Sequence, residues 1–189
     1  MKIRKEDYAV HNRMEEVADQ AVERVLSEDK TACDCPICRE NVKYVKSQML
    51  NNVEPKYYPV IAGEPVAEAP HLEELESELF NKVMVECYKA LTRVKQHPRH
   101  GYERVSMHNT TEDLLRFFAS DILSSQNLEL SMEDLSRMMA AALNALKPSY
   151  TTTHKGDAFI RASEIDAAYR ALVYSEIFTA LEKLQAKAQ

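Results

Sequence analysis

The chain has no tryptophan, and its 189 residues include only three glycines, Gly63, Gly101 and Gly156. So few glycines leave no material for a phosphate-cradling loop and little for a turn-rich sheet fold. No apolar run approaches the roughly 20 residues that span a bilayer. The start, Met1-Lys2-Ile3-Arg4-Lys5-Glu6-Asp7, has no secretory apolar segment behind it. A cytoplasmic location without membrane insertion is the expectation. Basic excess is also lacking: a formal net charge of -6 argues against general nucleic-acid binding, which needs a basic face. No nucleophile elbow, P-loop, His-Glu-x-x-His or dinucleotide fingerprint occurs, and the histidines are scattered. The expectation is a protein that is not an enzyme.

What is present is enough apolar material for a packed core, 45% of residues, arranged as two copies of one unit. Val10-His11-Asn12-Arg13-Met14-Glu15 opens the first copy, and Met107-His108-Asn109-Thr110-Thr111-Glu112 the second. In each, Asn followed three places on by Glu resembles a capping box. Apolar residues then recur at helical spacing: Met14, Val17, Ala18, Ala21, Val22, Val25 and Leu26, against Leu114, Leu115, Phe117, Phe118, Ile122 and Leu123. A second helix follows in each copy, near 40–52 and after the cap Ser131. Pro55 and Pro148 stop these helices, because proline cannot continue the backbone ladder. Extended stretches 57–61 and 150–154 come next, where a short arm fits.

Each copy closes with a long amphipathic helix, from about His71 to Lys95 and from about Ser163 to the C-terminus. The inward stripe of the last helix is read as Ile165, Ala168, Leu172, Phe178, Leu181 and Leu184. The expected fold is mostly α: two tandem units, 1–95 and 105–189, joined by a linker at 96–104 and packed as an intramolecular pseudo-dimer.

Two features carry candidate chemistry. Cys33, Cys35 and Cys38 form a C-x-C-x-x-C cluster, a spacing that can deliver three sulfurs to one zinc ion in a reducing compartment. Cys87 is the first candidate for the fourth ligand, with His11 or another chain as substitutes; a free thiol on an apolar stripe is the plainer reading of Cys87. A reduced turn holding no metal remains the alternative for the cluster. The second feature is a doubled phrase, Leu50-Asn51-Asn52-Val53-Glu54-Pro55-Lys56-Tyr57 and Leu143-Asn144-Ala145-Leu146-Lys147-Pro148-Ser149-Tyr150. Structurally, Asn51 and Asn144 can bond free backbone near a helix end while Tyr57 and Tyr150 pack beside them. Functionally, a tyrosine face and a nearby guanidinium such as Arg137 can stack a base, and amides can read its edge.

These residues resemble the late competence development protein (ComFB) family. Its pattern is a helix opening on Asn, C-x-C-x-x-C, Leu-Asn-x-Leu-Pro-Pro-x-Tyr, a Gly turn and a long helix. The first copy matches at Asn12, Glu15, Cys33, Cys35, Cys38, Leu50, Asn51, Pro55, Tyr57 and Gly63; the second at Asn109, Glu112, Leu143, Asn144, Leu146, Pro148, Tyr150 and Gly156. The second has lost every cysteine, and the first proline of Pro-Pro is Glu54 in one copy and Lys147 in the other. The resemblance implies a small helical protein, dimeric in single-unit members, with structural zinc at the cysteine turn. It also implies a receptor for a cyclic dinucleotide, chiefly cyclic di-GMP, acting through a protein partner.

The ligand residues so expected are Asn51, Tyr57, Arg137, Asn144, Lys147 and Tyr150. A dianionic ligand needs a local basic cluster, for which Lys43, Lys46, Lys56, Arg137, Lys147 and Lys155 are the candidates. Their convergence on one concave face favours the receptor. Their scatter favours a structural or adaptor protein with no small ligand.

Overall fold

The computed structural model describes residues 2–28, 41–65, 68–97, 106–153 and 166–187. Cys33, Cys35, Cys38, Lys155 and the linker 98–105 lie outside the described residues.

Among the described residues both halves follow one order, strand, helix, helix, strand, helix. The first comprises β1 (Val10–Asn12), α1 (Met14–Glu28), α2 (Val42–Leu50), β2 (Tyr57–Pro59) and α3 (Ser77–Gln96). The second comprises β3 (Ser106–Asn109), α4 (Thr110–Ser125), α5 (Met132–Ala145), β4 (Tyr150–Thr153) and α6 (Ala167–Lys187). The fold is mostly α, in two tandem units.

The extended stretches after the helix-stopping prolines form real strands, each returning to the strand that precedes its own first helix. β1 and β2 are antiparallel with His11 opposite Tyr58 and Asn12 opposite Tyr57; β3 and β4 pair with His108 opposite Thr151 and Asn109 opposite Tyr150. Asn109 is the N-cap of α4, its Oδ1 accepting from Thr111 N–H at 3.1 Å. Asn12 Oδ1 likewise accepts from Met14 N–H at 3.2 Å. The expected partner of each cap behaves differently: Glu15 and Glu112 accept tyrosine hydroxyls instead of closing a capping box. The third helix of the first copy starts at Ser77 rather than near His71, because a 3-10 turn at Leu72–Glu74 precedes it. Gly63 supplies the positive φ of 84° in the turn after β2, a conformation other residues resist.

Two apolar cores result. One joins Val17, Ala21, Val45, Met49, Val83 and Cys87 of the first copy; the other joins Leu115, Phe118, Met138, Met139, Val173 and Ile177 of the second. Each fully buried aliphatic side chain contributes about 1.5–3 kcal/mol. The cores are not wholly private to their copies. Tyr57 lies in the second copy's core and Tyr150 in the first copy's. β2 packs on α5, and β4 packs on α2. The segment before β1 also crosses over: Ile3 N–H donates to Ser120 Oγ at 2.9 Å and Ala9 N–H to Ser136 Oγ at 3.0 Å.

Two parts of the expected apolar stripes are corrected. Phe117 is 50% exposed, and Leu172 and Phe178 of α6 are 43% and 41% exposed. Leu181 is buried as expected, but its companions on the buried face of α6 are Val173, Ile177 and Ala180. Apolar residues occur on every side of α6, so helical periodicity cannot phase it.

Candidate functional site

The doubled phrase forms one construction across the two copies. Asn51 caps the end of α2, and its carboxamide binds Tyr150 as a neighbouring strand would. Oδ1 accepts from Tyr150 N–H at 2.5 Å and Nδ2 donates to Tyr150 C=O at 3.0 Å. Asn144, near the end of α5, repeats this on Tyr57, at 2.6 Å and 2.8 Å. An amide side chain carries one donor edge and one acceptor edge, which matches the N–H and C=O of a single residue. The asparagine of each copy therefore clasps the tyrosine of the other.

The opening asparagines complete the exchange. Asn12 Nδ2 donates to the Tyr150 hydroxyl and Asn109 Nδ2 to the Tyr57 hydroxyl, each at 2.9 Å. The two hydroxyls meet at 3.0 Å, and Tyr150 O–H donates to Glu15 Oε1 at 2.7 Å. Burial, the largest influence, pushes the Tyr57 phenol up to about 12. Burial, then the neighbouring Tyr57 and Glu15, pushes Tyr150 higher still. Both phenols stay neutral at ordinary pH.

This placement corrects the expected stacking role. Tyr57 and Tyr150 are only 5% and 3% exposed, so no base can lie on either ring. The amides of Asn51 and Asn144 are taken up by backbone, so they hold the fold rather than read a ligand edge. Arg137 is remote in role as well, its guanidinium held by Glu133 and Glu64. Lys46 is bound to Asp19 at 2.6 Å.

What the phrase does build is an open cleft of about 310 Å³ between the copies. Residues 51–55 and residues 144–148, equivalent stretches of the two copies, both line it. Val53 and Leu146, Pro55 and Pro148 match in character; Glu54 and Lys147 are opposite in charge. Lys82 also lines the cleft and lies 3.9 Å from Glu54. Of the expected cations among the described residues, Lys147 alone lines this cleft.

An exposed tyrosine lies one residue from the expected Tyr57, and the guanidinium beside it is Arg13 rather than the expected Arg137. Strand alternation turns Tyr57 inward and Tyr58 outward, and the Arg13 guanidinium lies 3.8 Å over the Tyr58 ring.

As to zinc, the thiols of Cys33, Cys35 and Cys38 are a donor set chemically suited to it. Among the described residues no group of three His, Cys, Asp or Glu is placed to hold a metal. Cys87 is wholly buried on α3 between apolar neighbours, and burial pushes its thiol up to about 12. Ile177 holds the same kind of position on α6, also with no exposure. Packing alone accounts for Cys87.

No helix among the described residues is long and apolar enough to cross a membrane. No curated protein and no solved structure gives a match to the chain. The two sets of strands, helices and clasping asparagines coincide with two successive matches to a single family model, described as Late competence development protein ComFB, over residues 11–98 and 108–188; the chain belongs to that family.

Proposed function

We propose that this chain is a non-catalytic signalling protein that receives a cyclic dinucleotide, cyclic di-GMP in the first instance, in the cleft between its two copies. The observation that carries the reading is the cleft's lining by equivalent stretches of the two copies. A cyclic dinucleotide has twofold symmetry of its own and meets such walls with matching halves. Lys147 and Lys82 supply the positive charge for its phosphates, while Pro55 is the more open apolar part of the lining. In this reading Asn51, Asn144, Tyr57 and Tyr150 shape the cleft floor and do not touch the ligand as stacking groups. A structural zinc held by Cys33, Cys35 and Cys38 belongs to the same proposal; it would brace the connector between α1 and α2 and supply no chemistry.

A second reading, an adaptor that binds a regulatory protein and no small ligand, is favoured by the scatter of the basic side chains. Lys46 and Arg137 are engaged by carboxylates, and Lys56, exposed just ahead of β2, does not line the cleft. Exposed Tyr88 and Phe178, one on each long helix, offer such a partner apolar surface. Calorimetric titration with cyclic di-GMP and cyclic di-AMP separates the two. Micromolar or tighter binding, about -8 kcal/mol or stronger, supports the receptor. No heat and no thermal shift at large excess leaves the adaptor.

A further inference from the structure

The two closing helices match residue for residue on their buried sides. Val83, Cys87, Ala90 and Leu91 of α3 correspond to Val173, Ile177, Ala180 and Leu181 of α6, and all eight are buried. The same offset fixes which outward positions are equivalent, so α3 is an internal reference for α6. On α3 the outward side is that of a solvated helix, with exposed Glu78, Lys82 and Lys89 around Val85 and Tyr88. On α6 those charges are gone: Ala168, Leu172 and Thr179 stand in their places, around Ser175 and Phe178. Leu172 and Phe178 are 43% and 41% exposed. The charge that both helices keep, Glu86 and Glu176, is half-buried at the flank. A helix that is apolar on every side is normally covered on every side, and within one chain this side of α6 is open.

The face is complementary to itself when two copies of α6 run antiparallel. With about 3.6 residues per turn, Ala168, Ser175 and Glu182 fall along its middle. Ala171 and Phe178 then lie on one side of that line, Leu172 and Thr179 on the other. A twofold axis through the crossing point at Ser175 sets Phe178 of each helix on Ala171 of the other, and Leu172 on Thr179, large against small. The same axis brings Glu182 to the first turn of the other α6. There Ala168 leaves room, and the unpaired N–H groups of the helix start favour a carboxylate. Parallel helices would instead oppose Glu182 to Glu182, like charge to like.

We propose that the outward face of α6 is covered by a second copy of this chain, in a twofold dimer whose α6 helices are antiparallel and cross at Ser175. This joint is distinct from the Tyr57–Tyr150 joint inside each chain, and α3 has no counterpart to it. It does not rest on the cleft reading.

Sedimentation equilibrium of the full chain reads the mass directly. One helix pair is a small interface of the transient class, so a dimer is expected at about 100 μM chain and a monomer at about 1 μM. Added salt should favour the dimer, because it screens the repulsion between two chains of net charge -6. Leu172→Lys puts at an exposed position the residue that the first copy carries there, and is expected to hold the chain monomeric throughout. Tyr88→Lys, on the matching face of α3, should dimerise as the wild type does. Ser175→Cys should cross-link into a dimer on mild oxidation, beyond the background that the native thiols give in the wild type, whereas Val85→Cys at the matching place on α3 should not. Far-UV circular dichroism confirms that each variant is folded, and the wild-type mass stands without any variant. A wild type that stays monomeric at about 500 μM overturns the proposal. So does a dimer that survives Leu172→Lys, or cross-linking that is equal in Val85→Cys. Dimerisation lost in Tyr88→Lys and kept in Leu172→Lys would move the joint to α3 and sink the proposal.

Discussion

The Tyr57 and Tyr150 hydroxyls, contributed by opposite copies, share one hydrogen bond of 3.0 Å. Its direction follows from Glu15. A carboxylate only accepts, so Tyr150 must spend its proton on Glu15 and can only accept from Tyr57. The proton order runs from Tyr57 through Tyr150 to Glu15. Two identical halves could not both occupy such an arrangement, and here the carboxylate that corresponds to Glu15, Glu112, accepts instead from the Tyr8 hydroxyl at 2.7 Å.

Stability should fall steeply in alkali. Burial raises the phenols of Tyr57, to about 12, and of Tyr150 and Tyr8 beyond that, from an ordinary 10.0. A raised folded value means the folded protein keeps a proton that the unfolded chain has already lost. The stabilisation is full below pH 10.0 and disappears as pH rises toward the folded values. Each of the three contributes a slope of about 1.4 kcal/mol per pH unit above that point. Absorbance of tyrosinate, followed together with circular dichroism, should show these phenols ionising only as the chain unfolds. Tyr57→Phe should lessen the alkaline slope by one phenol's worth. Smooth ionisation of every tyrosine near pH 10.0 with the fold intact would contradict this.

Removing a clasp should weaken the joint between the copies. Asn144→Ala deletes both bonds to Tyr57 and strands a donor and an acceptor at a part-buried site. The expected loss is about 2–4 kcal/mol, since each unsatisfied group costs roughly 1–3. Asn51→Ala should cost a similar amount through Tyr150. Urea unfolding measures both, and a loss under 0.5 kcal/mol for either, at the noise of surface substitutions, would mean the clasps are ornamental.

Much of the architecture was legible in the chain. Prolines at 55 and 148 mark the ends of α2 and α5, and Asn109 and Ser131 cap as their neighbours predict. The buried stripe of α5 matches its periodicity in full, from Leu135 to Leu143. Where periodicity is weak, the reading was only partly right. α6 is apolar on several sides; Leu181 is inward as read, while Leu172 and Phe178 are exposed and Val173 and Ile177 were missed.

The site was less legible for a different reason. Glu15 has capping-box spacing from Asn12, and nothing local reveals that its partner is Tyr150 in the other copy. The Asn and Tyr of the phrase were rightly singled out, but their pairing is exchanged between copies, which a single phrase cannot disclose. In Tyr57-Tyr58, strand alternation makes one ring inward and the other outward; only the pairing with β1 decides which.

Cys87 should behave as a core residue. Cys87→Val keeps the apolar character that Ile177 has at the matching position, and should cost less than about 1.5 kcal/mol. Metal analysis of protein purified without chelator should find zinc in the wild type, and the Cys87→Val variant should keep it. Cys35→Ser should lose it. Loss of zinc with Cys87→Val, in a chain that stays folded, would restore Cys87 as the fourth ligand.

The opposed charges in the cleft make the sharpest test of ligand recognition there. Glu54 and Lys147 occupy equivalent walls, so one end of a twofold dianion meets attraction and the other repulsion. Lys82, 3.9 Å from Glu54, offsets the repulsion only in part. Glu54→Lys gives both ends the same sign and frees Lys82, so it should strengthen cyclic di-GMP binding and steepen its salt dependence. Lys147→Glu should weaken binding by about ten-fold or more, ~1.4 kcal/mol, and flatten that dependence. Both side chains are exposed, so neither change should move the melting temperature much. Titration at low and high salt reads all of these. If both variants bind as the wild type does, the ligand lies elsewhere on the molecule, and the charge difference between the copies has no part in recognition.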